Sequence, residues 1–256
     1  MRYLGLGSLT ALALLAGCNS EPKPPQAPPS DATSAASTPM PAANAADPDP
    51  TKVAALWLDA QVEPRQPGKW APRDECGGLP GARAFREKLA AAVQARDAEA
   101  IAAMATPDIR LGFGGEDGNK RFLAALKAPD GKLLNELAAL LPLGCAGSDG
   151  GGLTIPWYFQ QELGDVDSGS AMLVTGVDVP LLAEPKPGAA PGEKLSWDLV
   201  SLTKGLTPGA PFQQVKSASG KTGFVATDKL RSLLAHRLLA VKQGQEWKIT
   251  AVLAGD

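Results

Sequence analysis

The chain has 256 residues, with 25 Lys+Arg against 27 Asp+Glu, a formal net charge of −2. That balance argues against phosphate and nucleic-acid binding, which calls for a basic excess or stripe. One histidine excludes a histidine-rich metal site or a paired-histidine acid–base centre, and Gly 28 with Pro 23 predicts a body rich in turns and irregular passages.

The first eighteen residues read MRYLGLGSLTALALLAGC. Arg2 precedes an apolar stretch from Leu4 to Ala16. This is the n-region and h-region pattern of an export signal, too short for a membrane-spanning helix. It ends in Leu15-Ala16-Gly17-Cys18, which resembles the lipobox of bacterial lipoproteins. The resemblance implies cleavage before Cys18, with that thiol diacylated and the new amino terminus acylated. Two or more acyl chains hold stably to a bilayer, whereas one is marginal. In lipoproteins an Asp after the Cys is the usual signal for inner-membrane retention. The residue here is Asn19, so the resemblance points to the periplasmic face of the outer membrane.

Residues 18–51 then form a Pro/Ala-rich tether behind the lipidated Cys. From 19 to 51 nine residues are Pro, with no aromatic and no β-branched aliphatic residue. Such a segment cannot bury enough apolar surface to offset its ordering entropy. At about 3.1 Å per residue in polyproline II, its reach is on the order of 100 Å.

Residues 52–169 read as a mainly helical α+β region. A short helix is expected over 52–60, then a Pro/Gly-rich passage to Gly81. Phe85, Leu89 and Val93 recur every four residues, on one helical face. Asp97 is placed to cap a second short helix carrying Ile101 and Met104, which Pro107 should end. Ile109, Leu111 and Phe113 alternate as one face of a strand. A Gly-rich turn at 114–118 follows, with Asp117 as the expected cap of a helix near 118–127. A further helix near 131–141 carries Leu133, Leu134, Leu137, Leu140 and Leu141. Residues 153–159 read as extended, with Pro156 arguing for an edge or an irregular stretch.

From 170 to 232 short β-runs alternate with turns: 172–177, 179–182, 195–202, 212–217 and 222–226. That is the cadence of a small barrel. The segments Gly220-Lys221-Thr222-Gly223-Phe224-Val225 and Asp228-Lys229-Leu230 resemble the closing strand and turn of a bacterial SH3 domain. The resemblance implies a barrel of about sixty residues with Phe224 packed inward and Gly223 at a close backbone approach. The Val-x-Val-Arg segment usual in that family is replaced by Val179-Pro180-Leu181-Leu182, without the Arg, which puts the ligand groove in doubt.

Residues 233–256 read as a hairpin, 237–241 and 247–252 around Gln243-Gly244-Gln245. The segment ARDAEAIAAMATPDIRLGF resembles the opening of cone-shaped α+β domains of the nuclear transport factor and polyketide cyclase type. The Glu-Trp-Lys-Ile strand resembles the way such domains end. The barrel therefore stands either beside the front region or inserted into a single cone. Catalytic cones carry Asp–His or Tyr–Asp pairs, and the only His lies far downstream, so no catalytic role carries over. The fold class expected is α+β: a helical front region, a small SH3-like barrel and a C-terminal hairpin.

Several fragments come close to active-site motifs. Ser201-x-x-Lys204, Ser148-Asp149-Gly150 and Lys221-Thr222-Gly223 stand in the wrong order for a serine acyl-enzyme, and Ser201 lies in a β-run. Asp165-x-Asp167-x-Gly169 resembles a calcium loop, but its twelfth position is Gly176, so an acidic turn is expected. Glu116 and Asp117 are read as turn and cap, and His236 as a structural residue on a strand. Trp197, Phe212, Phe224 and Trp247 are read first as barrel core. Trp157 and Tyr158, if exposed beside Trp197, Phe212 and Phe224, would form a binding surface.

No catalytic residue, metal or cofactor is expected. The function expected is that of a lipid-anchored, non-catalytic periplasmic binding protein, its SH3-like domain recognising a cell-wall peptide or envelope protein. The alternative is a small-ligand carrier or enzyme with a pocket in the front region. With Cys18 lipidated, Cys76 and Cys145 remain, and an oxidising compartment favours a disulfide between them.

Overall fold

The computed structural model describes residues 49–114 and 118–255. Cys18, the tether up to residue 48, and Glu116 and Asp117 lie outside the described residues.

Helix α1 (Pro50–Asp59) opens with Pro at its first position and the Asp49 carboxylate accepting from Thr51 N. Helix α2 (Ala82–Gln94) buries Phe85, Leu89 and Val93, the face its four-residue spacing predicts. Asp97 caps α3 (Ala98–Ala103) through the N–H of Ala100. Strand β1 (Ala105–Arg110) then starts earlier than the sequence suggests. Pro107 does not end a helix; it sits inside β1, which lies at the edge of its sheet, where a missing N–H costs no ladder bond. Ile109 is buried, Leu111 half-buried and Phe113 exposed, so the three do not share a packed face. Helices α4 (Asn119–Leu126) and α5 (Lys132–Leu140) follow, α4 capped at Gly118 with no side-chain bond.

Strands β2 (Ala146–Ser148) and β3 (Gly152–Ile155) come next. Pro156 ends β3 rather than continuing it, and Trp157–Gln160 turn as a short 3-10 helix. The chain then builds β4 (Ala171–Val174), β5 (Val179–Leu182), β6 (Pro191–Leu195), β7 (Leu199–Leu202), β8 (Phe212–Lys216), β9 (Thr222–Ala226) and β10 (Leu230–Ser232). The run expected over 195–202 is broken between β6 and β7 at Trp197, whose φ of 49° is left-handed. Strands β11 (Arg237–Gln243) and β12 (Glu246–Leu253) form the last hairpin around Gly244-Gln245.

Two sheets result, and the architecture is mixed α+β. The first has the order β1-β12-β11-β3-β2, with β1 parallel to β12 and the other pairs antiparallel. It takes strands from before and after the second sheet, so the last hairpin is central to the front region and not an appendage. The second sheet has the antiparallel order β10-β4-β7-β8-β9-β5-β6, and the pairing does not close between β10 and β6.

Three apolar clusters organise the body. The largest packs α1 to α5 against the first sheet through Leu89, Ile101, Ile109, Phe122, Leu137, Ile155 and Ile249. The second joins Trp70, Leu143, Trp157, Tyr158, Leu173, Trp197 and Leu233. The third consists of residues of the second sheet alone, among them Val174, Leu181, Leu195, Val215 and Val225. That sheet therefore folds one face over onto itself.

Cys76 and Cys145 are joined by a disulfide, with Cα atoms 5.6 Å apart across 69 residues of sequence. The backbone beside it is also paired. Asp74 bridges Cys145, Cys145 N donates to Arg73 O, and Glu75 N donates to Cys145 O. Gly144 lets the strands meet: a Cβ there would lie 2.1 Å from Arg73 O.

Candidate functional site

The five aromatic residues expected to form a binding surface divide into two groups. Trp157, Tyr158 and Trp197 are each 2% exposed and belong to the second cluster. They are core, not surface. Trp197 Nε1 donates to Gln66 Oε1 at 2.7 Å, its N–H to Gly176 O and its carbonyl accepts from Trp70 N. Such holding is needed, because a bulky residue in the left-handed region costs about 1–3 kcal/mol. Trp247 is buried too, but in the first cluster against Phe85, its Nε1 donating to Pro80 O.

Phe212 and Phe224 behave differently. Both are half-buried, and neither is in the barrel core expected for them. The period of two explains this. In β9 the buried residues are Gly223 and Val225, so Phe224 points to the opposite face. The register pairs Phe212 with Ala226 and Gln214 with Phe224, which puts the two rings diagonally on one face of the β8–β9 hairpin. Leu182, paired with Phe224, joins them. Beside this face lies an open groove of about 480 Å³, lined in part by Leu182, Pro191, Glu193 and Lys221. The Glu193 carboxylate accepts from the Ser217 and Ser219 hydroxyls, which lowers its pKa. Gly223 does make the close approach expected of it: a Cβ would meet Leu181 Cγ and Leu182 O, both at 2.7 Å.

A polar cluster at the seam between the sheets is not apparent from the sequence. His236 lies just before β11 rather than on a strand, and its Nδ1 stands 3.5 Å from Glu136 Oε2. Arg231 Nη1 is 3.6 Å from the same oxygen. The Arg231 guanidinium also donates to His236 O at 2.9 Å and to Tyr158 Oη at 3.3 Å. The Glu136 carboxyl is held below its ordinary range, first by His236 and then by Arg231, against the opposing effect of burial. Burial pushes the Tyr158 phenol up. These four residues span a hundred positions, and no local pattern announces them.

His236 also lines a crevice of about 230 Å³ between α4, α5 and the end of β12, with Leu111, Arg121, Ala125, Lys132, Leu133 and Val252. Leu111 lines this crevice, while Trp157 is buried in the second cluster and Phe113 is exposed. The space between the first sheet and its helices is filled by side chains of the first cluster.

Among the described residues the one grouping with metal-ligand spacing is Asp74, Cys76 and Cys145. Its sulfurs are bonded to each other, and the Asp74 carboxylate accepts from Cys76 N and the buried Arg86 guanidinium, so it is a structural knot. Asp167, from the calcium-like sequence, closes a turn onto Gly169 N and Ser170. Ser201 is an exposed strand residue.

No family model matches the chain, and no curated protein matches it. A solved structure of an NTF2-like protein with a cystatin-like fold, from Novosphingobium aromaticivorans, is 14% identical over 63% of this chain and 70% of its own, with a TM-score of 0.21. An overlap that low does not define a fold. No described helix is long and apolar enough to cross a membrane.

Proposed function

We propose that the protein is a lipid-anchored, periplasmic binding protein without catalytic activity, held at the outer membrane by Cys18 and its tether. On this reading the second sheet is an SH3-like barrel. Supporting it are strand β9 over the Gly220–Val225 segment, the short 3-10 turn Thr227–Lys229 leading into β10 over Asp228–Leu230, and a sheet that buries one face on itself. The observation that carries the function is the half-buried pair Phe212 and Phe224 beside an open groove. Aromatic rings of this kind, on a face whose Leu182 pairs with Phe224 and also lines that groove, suit a cell-wall peptide or a segment of an envelope protein. The test is co-sedimentation of the full chain with isolated peptidoglycan, followed by crosslinking in the periplasm. Retention that is lost in Phe212→Ser/Phe224→Ser, with the melting temperature preserved, supports the reading. Equal retention of both proteins contradicts it.

A second reading, a small-ligand carrier, is favoured by the crevice between α4 and α5, whose lining is apolar at its floor and basic at its rim.

A further inference from the structure

We infer that the groove between the β5–β6 hairpin and the β8–β9 turn binds a small aliphatic zwitterion, a molecule the size of a dipeptide with one free ammonium and one free carboxylate. The inference rests on the binding-face reading and names a ligand class for the groove beside that face. Leu182, Ala183, Ala190 and Pro191 supply its aliphatic wall, and its charged lining residues are Glu193 and Lys221, one of each sign. An apolar cleft with a few placed polar groups is the usual form of a small-molecule site, and charges of both signs fix a ligand's orientation in it.

The β8–β9 turn builds the carboxylate's setting. Ser217-Ala218-Ser219-Gly220-Lys221 reverses the chain, with Gly220 N donating to Ser217 O and Ser217 N to Lys221 O. Ser217 Oγ and Ser219 Oγ each donate to Glu193 Oε2 at 2.9 Å. Ser217 is 5% exposed, so the carboxylate is held by a group that is itself fixed. Both donors are neutral: they keep the Glu193 carboxyl below its ordinary range, and so ionised, without compensating its charge. Oε1 has no partner among the described residues. Lys221 is exposed on the same groove and in no ion pair among the described residues; it acts on Glu193 through space without touching it. The neighbouring charges are taken, Lys194 lying 3.7 Å from Asp178 and Glu184 2.7 Å from Lys186. A ligand with both charges meets Glu193 with its ammonium and Lys221 with its carboxylate, whereas a ligand with one charge meets a partner and a like charge together. At about 480 Å³ the groove falls within the range of about 300–1,000 Å³ that holds small molecules, which leaves room for a dipeptide.

The probe is alanylalanine, compared with its N-acetyl and its C-amide derivatives. Each is added to the ¹⁵N-labelled full chain while the backbone amide signals of Gly192 and Thr222 are followed. Saturable shifts at millimolar concentrations or below are expected with the dipeptide, and binding about tenfold weaker with either capped form. Glu193→Gln, which keeps an acceptor for the serines, should weaken the dipeptide about tenfold and leave the N-acetyl form unaffected. Lys221→Met should weaken the dipeptide similarly and leave the C-amide form unaffected, with melting temperatures showing that both variants keep the fold. Equal binding of the dipeptide and both capped forms, or no saturable shift with any of them, would overturn the inference and leave the binding-face reading to its own test. Selective dipeptide binding, together with peptidoglycan retention that survives Phe212→Ser/Phe224→Ser, would overturn that reading and keep the groove.

Discussion

Gly223 and Phe224 are adjacent, yet the strand period separates their roles. Gly223 is where β9 meets β5, and any Cβ would press on a backbone oxygen that cannot move cheaply. Gly223→Ala should therefore destabilise by about 1–3 kcal/mol, the usual cost of overpacking, measured by urea denaturation. Leu181, 3% exposed within the third cluster, should cost about 2–5 kcal/mol as Leu181→Ala. Phe224→Ala should cost less than Leu181→Ala, because the ring is half out of the core; a larger loss would return Phe224 to the interior. Glu136 supplies a pH signature. Its folded pKa lies below the ordinary 4.5, so it contributes stability that is complete above the unfolded value and lost as pH falls through the folded one. Glu136→Gln should lower stability at neutral pH, where that contribution is complete, and flatten the acid limb, so that variant and wild type converge below the folded pKa. An unchanged acid limb would mean that the contacts to His236 and Arg231 are not formed in solution.

At the scale of elements, what was legible depended on how local the cause is. Helices α2 and α5 carry their apolar spacing in their own sequence, and both form close to where it predicts them. The two-residue turn of the last hairpin is equally local. Strand β1 was hidden because Pro107 reads as a helix stop, and only the edge position beside β12 makes it tolerable. The break at Trp197 was hidden because nothing in Ser196-Trp197-Asp198 signals a left-handed turn; tertiary contacts from Gln66 and Gly68 hold it there. The meeting of Glu136, Arg231, His236 and Tyr158 is a product of topology, and a single sequence does not encode it locally. The disulfide, by contrast, follows from counting cysteines. It closes 69 residues, and its reduction should lower stability by about 4 kcal/mol in the chain-entropy account. Thiol titration of the denatured, unreduced protein should find neither Cys76 nor Cys145 reactive. Two thiols per chain would show the bond is not made.

For the whole molecule, the proposal joins an anchor, a tether and a body that presents a face. The anchor predicts that wild type fractionates with membranes and that Cys18→Ala does not acquire acyl chains, as read by metabolic labelling with a fatty acid. Label incorporated equally by both proteins would remove Cys18 from the account. The face is the central claim, and a photo-reactive residue tests it in place. Substituted at Phe224 in cells, it should crosslink to a peptidoglycan peptide or to one defined envelope protein. The same residue at Leu206, which is 54% exposed and belongs to no described cluster, serves as the control and should not. Capture at 224 that is absent at 206 is the predicted result. No capture at 224, or the same products from both positions, would contradict a binding face on the β8–β9 hairpin.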